Sequence, residues 1–110
     1  MWDEIKKTQA DLDTALAKAK ERGLLMNQAE AHYYTVKDER VRELMEEGKS
    51  GTVISMIIKG EPDVCEAMKA YHDYQVLYRN AQEAINVYKR RLDTLREEYE
   101  REWSRAGQSY

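Results

Sequence analysis

The sequence predicts an all-α fold: an antiparallel hairpin of two long helices, at about residues 2–47 and 63–105, joined by a short buried helix at about 53–59. Three observations carry that expectation. Charged residues make up 35% of the 110, with five glycines and one proline, which is the composition of long helices rather than of a sandwich or barrel. Apolar residues recur at helical spacing through both long segments. Pro62 and the glycines at 48, 51 and 60 gather between those segments and separate them. The length suits one domain, so residues 1–110 are expected to form a single helical hairpin.

In the first helix, Ile5, Leu12, Ala19, Met26 and Tyr33 lie seven residues apart, and Leu16 and Gly23 follow Leu12 and Ala19 by four. That is the spacing of a helix packed along one face. After Tyr33 the stripe shifts by one residue, to Tyr34, Val41, Leu44 and Met45. Gly23 weakens the helix by about 1 kcal/mol relative to alanine and marks either a kink or a close helix crossing. Asp3 and Glu4 suit the start, and Gly48 suits the end.

Between the long segments lies Val53-Ile54-Ser55-Met56-Ile57-Ile58, five large apolar residues in six positions. Its β-branched content allows a strand, but a lone strand in a helical chain has no ladder partner unless another chain supplies one. A short helix capped by Ser50, Thr52 or Ser55 is the better expectation. Its apolar face must be buried against the two arms or against a second molecule.

The second helix has the cleaner pattern. In alternating steps of three and four come Val64, Ala67, Tyr71, Tyr74, Tyr78, Ala81, Ile85, Tyr88, Leu92, Leu95, Tyr99 and Glu102, eleven of the twelve apolar or aromatic. Such a heptad run calls for a coiled-coil-like seam. Pro62 fits the first turn and Gly107 the stop. Asn86, beside the seam, either fixes register in an oligomer or sits hydrated at the edge. A single hairpin has one seam and a thin core, and Trp2 and Trp103 fall near the same end. These points favour a homo-oligomer, most simply a dimer forming a four-helix bundle whose seam is Tyr71, Tyr74, Tyr78, Ile85, Tyr88, Leu92, Leu95 and Tyr99.

The net charge of −3 comes from 18 basic and 21 acidic residues with signs well mixed, so the strongly basic footprint of a duplex-DNA binder is absent. Cys65 is the single cysteine and cannot form an intrachain disulfide, which fits a reducing, cytoplasmic setting. The N-terminus has no apolar signal region, and the longest uncharged run, residues 50–58, falls far short of the roughly 20 residues that span a bilayer, so no membrane partner is expected.

No arrangement carries catalysis or metal binding. His32 and His72 lack metal-ligand spacing. Gly48-Lys49-Ser50-Gly51 contains a Gly-Lys-Ser, but position 43 is Glu where a phosphate-binding loop needs glycine, and no strand precedes it. Neither an enzyme nor a cofactor is expected. Arg79, Lys89, Arg90 and Arg91, with Arg96, lie among Tyr78, Tyr88 and Tyr99, a combination that can hold single-stranded nucleic acid by charge and stacking. The same tyrosines are seam residues, with the basic side chains flanking them.

Several motifs within residues 41–103 stand out: Glu47-Gly48, Thr52-Val53-Ile54, Lys59-Gly60-Glu61 with Val64, and Tyr78-Arg79, Ala81 and Glu83-Ala84-Ile85-Asn86. Together they resemble a family of small helical proteins of prophages and tailed phages of Gram-positive bacteria. The resemblance leaves residues 1–40 out and names no catalytic residue. It implies a bacterial cytoplasmic setting and an early phage gene. The resulting expectation is a non-enzymatic interaction protein, a homodimer that offers Val53, Ile54, Met56, Ile57 and Ile58 to a protein partner of phage or host. Two alternatives stand beside it. One is an accessory factor of phage recombination or replication that contacts single-stranded DNA. The other is an inhibitor of a host defence nuclease.

Overall fold

A computed structural model describes residues 1–108 of the chain. It is all helical, in the order α1 (Trp2–Glu46), α2 (Gly51–Ile58) and α3 (Pro62–Gln108). No strand occurs among the described residues. The stretch from Val53 to Ile58 is helix, as its lack of a ladder partner requires. α2 starts two residues before the expected 53 and ends one before the expected 59, because Ser50 rather than Thr52 or Ser55 is its cap.

Two compact units divide the chain, one of Met1–Lys20 with Arg79–Tyr110 and one of Glu21–Tyr78. Both long helices contribute to both. In the first unit, Trp2 meets Tyr99 with ring centroids 5.8 Å apart, and Arg96 donates to Gln9. Advancing along α1 thus means going back along α3. Its buried residues are Ile5, Thr8, Leu12, Ala15 and Ala19 from α1, with Ala81, Ile85, Leu92 and Leu95 from α3.

In the second unit the helices also run antiparallel, with Arg22 donating to the carbonyl of Leu77 and the ring of Tyr33 stacked on that of Tyr71. α1 passes through Gly23 without a break, so of the two expectations for that glycine the close crossing is the one found. Leu44, Ile54, Ile58 and Val64 form the core here, with Tyr33, Val36, Val41 and Ile57 packed against them.

The heptad of α3 is fulfilled position by position. Val64, Ala67, Ala81, Ile85, Leu92 and Leu95 are buried, Tyr71, Tyr74, Tyr78, Tyr88 and Tyr99 are half-buried, and Glu102 is exposed. α1 departs from the expected stripe in three places. Leu16, Tyr34 and Met45 are exposed, while Thr8 and Ala15, absent from the expected set, are buried. The α1 seam therefore starts as 5, 8, 12, 15, 19 and ends on Val41 and Leu44. A strict seven-residue repeat from Ile5 and Thr8 would instead end on Arg40 and Glu43. A straight helix drifts about 20° per heptad against such a repeat, about one residue over five heptads, and this is the shift found.

The helix ends follow local chemistry. Gly48 has φ 83°, the amide of Gly48 donates to Met45 and that of Lys49 to Leu44, which together make the glycine-terminated turn that closes α1. Gly107, by contrast, does not end α3, which continues to Gln108. Gly48 is the only residue with positive φ among those described, so Gly107 lacks the left-handed backbone by which glycine stops a helix.

Candidate interaction site around the short helix

α2 is held at both ends. The Ser50 hydroxyl accepts a hydrogen bond from the amide of Val53 at 3.3 Å, and the Lys59 amide donates to Ile57. The Gly-Lys-Ser stretch thus closes one helix and opens the next. After α2, the amides of Gly60 and Glu61 donate to Ile57 and Ile58, and Pro62 starts α3. Arg40 of α1 ties into this junction: its Nε donates to Glu61 Oε1 at 3.0 Å and its Nη1 to Glu43 Oε2 at 2.9 Å. Those bonds, to Glu43 first and Glu61 second, raise the guanidinium pKa above its ordinary value.

The helical period sorts the five residues expected to meet a partner. Ile54 and Ile58, four apart, point into the chain's own core beside Leu44, which is 1% exposed. Ile57 is half-buried against the same core. Val53 at 41% and Met56 at 71% exposure face outward. Two of the five thus build the platform, and Val53 and Met56, with part of Ile57, present it.

A groove of about 400 Å³ opens beside α2. Val41, Ile54, Ile58 and Val64 line it with apolar side chains, and Lys37 and Lys59 line it with ammonium groups. The Lys37 Nζ lies 5.8 Å from the centre of the Tyr33 ring, a cation–π distance. Cys65 also lines the groove, half-buried, its thiol donating to the Lys59 carbonyl at 3.2 Å. Further along α3, Tyr71 receives a hydrogen bond from Gln75 at 3.0 Å. Its hydroxyl pKa is raised, chiefly by loss of solvent and then by a hydrogen bond to, and the charge of, Glu30.

The remaining sequence candidates do not converge. Arg79, Lys89, Arg90 and Arg91 are all exposed and make no ion pair among the described residues. At 100° per residue Lys89, Arg90 and Arg91 fan around the outside of α3 rather than forming a stripe. Tyr88 and Tyr99 are half-buried in the seam and do not offer free stacking faces. His32 and His72 are exposed, with His72 Nδ1 2.9 Å from Gln75 Oε1. No cluster of three His, Cys, Asp or Glu side chains is placed to hold a metal among the described residues. No helix there is long and apolar enough to cross a membrane.

Sequence reasoning missed the Arg40–Glu61 pair and the groove lysines. Both depend on side chains 21 or 22 residues apart across two turns, which periodicity does not register. Thr8 and Ala15 were legible, since each lies three residues after a stripe position, but neither is strongly apolar. Comparison with protein-family models, with curated proteins and with solved structures finds no match to this chain.

Proposed function

We propose that the chain is a non-enzymatic helical interaction protein that works through protein–protein contacts as a homo-oligomer, most simply a homodimer. The observation that supports this is the apolar surface left uncovered within each unit: Leu24, Tyr34 and Met56 in one, and Leu16, Val87 and Trp103 in the other, are each more than 40% exposed. Outward Val53 and Met56 give a protein partner apolar anchors on a helix fixed at both ends. The phage or prophage origin, and with it the bacterial cytoplasm, rests on the motif resemblance alone.

Light scattering at micromolar concentration tests the dimer. The expected mass is twice 13.0 kDa, and a well-folded species at the single-chain mass refutes it. Capture of partners from lysogenic or infected cells tests the rest, with Met56→Asp expected to abolish capture while leaving the helical circular dichroism unchanged. If Met56→Asp retains the partner, α2 is not the contact.

A second reading is favoured by charge. The unit Glu21–Tyr78 carries eleven acidic and seven basic residues, a net negative balance that suits competition with nucleic acid for a host nuclease. Contact with single-stranded DNA through Arg79, Lys89, Arg90 and Arg91 gains support from their exposure but loses the stacking tyrosines. Fluorescence anisotropy with oligonucleotides at low salt decides it, because phosphate contacts give binding that falls steeply with salt.

A further inference from the structure

The groove beside α2 has a charge pattern opposite to that of its surroundings. The unit Glu21–Tyr78 holds eleven carboxylates and seven cations, yet two cations and no carboxylate line the groove. Neither Lys37 nor Lys59 is paired with a carboxylate among the described residues. Within a net-negative unit, that segregation sets two ammonium groups beside an apolar floor. Cations within a Debye length of one another, roughly 8–10 Å at physiological salt, act together on whatever enters.

We propose that this groove seats an apolar side chain of a partner protein with an aspartate or glutamate beside it. The proposal rests on the interaction reading above and supplies the partner's chemistry. The apolar side chain covers half-buried Val41 and exposed Met68 over the buried Ile54, Ile58 and Val64, and the neighbouring carboxylate meets Lys37 and Lys59. A partner chain rather than a free small ligand is favoured by α2 itself. One eight-residue helix supplies both a wall of the groove, through Ile54 and Ile58, and the exposed Val53 and Met56, so an occupant continuing past the groove finds further apolar surface. An amphipathic helix with leucines on one face and glutamates at its border has that form.

Cys65 supplies a reporter, since it is the single cysteine and lines the groove. The full-length chain is labelled with a matched pair of small methanethiosulfonates, one ending in sulfonate and one in trimethylammonium. Each rate is divided by that of free cysteine. The expected result is a preference of about fivefold for the anionic reagent at low salt, collapsing towards unity at high salt and in a Lys37→Gln, Lys59→Gln variant. A normalised ratio of one, or a preference for the cation, overturns the proposal.

In a second arm, a synthetic leucine-faced helix bordered by glutamates is expected to slow Cys65 labelling, and the same helix bordered by lysines is not. Equal protection by both peptides, or by neither, also overturns it. Failure of this inference is distinguishable from failure of the interaction reading. A partner captured equally well by Lys37→Gln, Lys59→Gln but lost with Met56→Asp keeps α2 as the contact and removes the groove.

Discussion

A β-carbon placed on Gly23 would lie 3.1 Å from Cε2 of Tyr78 and 3.5 Å from Cδ2, so the tyrosine ring stands where an alanine methyl would go. The glycine therefore weakens α1 locally and lets α3 approach. Two terms oppose one another in Gly23→Ala. Helix propensity favours alanine by about 1 kcal/mol, and the ring must give way by a few tenths of an ångström. The expected net change in wild type is within about 0.5 kcal/mol. With Tyr78→Ala already present, Gly23→Ala is expected to stabilise by about 1 kcal/mol, the full propensity term. Urea unfolding of the four variants gives the coupling. Equal effects in both backgrounds would show that the ring is no obstacle.

Leu44 and Met56 make a second contrast. Leu44 is buried at the centre of the cluster with Ile54, Ile58 and Val64, while Met56 faces outward from the helix that covers them. Leu44→Ala leaves a cavity and is expected to cost about 3 kcal/mol. Met56→Ala is expected to stay within about 0.5 kcal/mol. Ile58→Asp places a charge in the same cluster and is expected to melt α2 outright. Denaturant midpoints separate the three, and a Leu44→Ala variant as stable as Met56→Ala would remove the cluster as the anchor of α2.

Periodicity made some of this legible. The α3 seam from Val64 to Tyr99 could be read directly, because eleven heptad positions carry large or small apolar side chains and none is interrupted. α1 was harder, since its seam drifts and uses Thr8 and Ala15, which look unremarkable beside Leu16. Leu16 and Tyr34 are apolar enough to attract a seam assignment, yet burial follows helix phase, not hydropathy. The existence of α2 followed from Gly and Pro punctuation and a lone apolar run. Which of its residues face inward depends on its starting residue, and a choice among three caps left that phase open. The groove was not legible, because its lysines become significant only through which carboxylates stay away.

The link from α1 to α2 rests on two backbone devices that single substitutions can separate. Gly48 at φ 83° closes α1, and Ser50 opens α2. Gly48→Ala forces a side chain into the left-handed region and is expected to cost about 1–2 kcal/mol. Ser50→Ala removes one cap and, given the long 3.3 Å bond, is expected near the lower end of the usual range, about 0.5 kcal/mol. Amide exchange distinguishes them. Ser50→Ala should speed exchange mainly at Val53, whose amide loses its acceptor, and Gly48→Ala at Gly48 and Lys49. The reverse order of stabilities would contradict the turn described here.

Arg40 holds two carboxylates at once, Glu61 at the start of α3 and Glu43 on its own helix. Arg40 and Glu61 are half-buried and Glu43 is exposed, so water and salt still reach the group and its contribution is expected to be small and sensitive to salt. Arg40→Gln and Glu61→Gln should each lower the melting temperature at low ionic strength, their effects should not add in the double variant, and the difference should fade in high salt. Additive effects independent of salt would mean that the two side chains act separately, through packing alone.

Tyr71 gives the pH dependence. Loss of solvent, then the hydrogen bond to Glu30 and its charge, raise the hydroxyl pKa above the ordinary 10.0. The folded chain thus holds this proton more tightly than the unfolded chain does. The stabilisation is fully present below the unfolded value near pH 10 and is lost as pH rises through the folded value. Absorbance at 295 nm should show a late phase of tyrosine ionisation above the ordinary value, and Tyr71→Phe should delete that last phase. Glu30→Gln should move it down, since it removes the charge of Glu30 and the charged acceptor of the tyrosine hydroxyl. Comparing unfolding of wild type and Tyr71→Phe between pH 9 and 11 isolates the contribution of this tyrosine. A last phase that survives Tyr71→Phe, or that ignores Glu30→Gln, would assign the raised value to another ring.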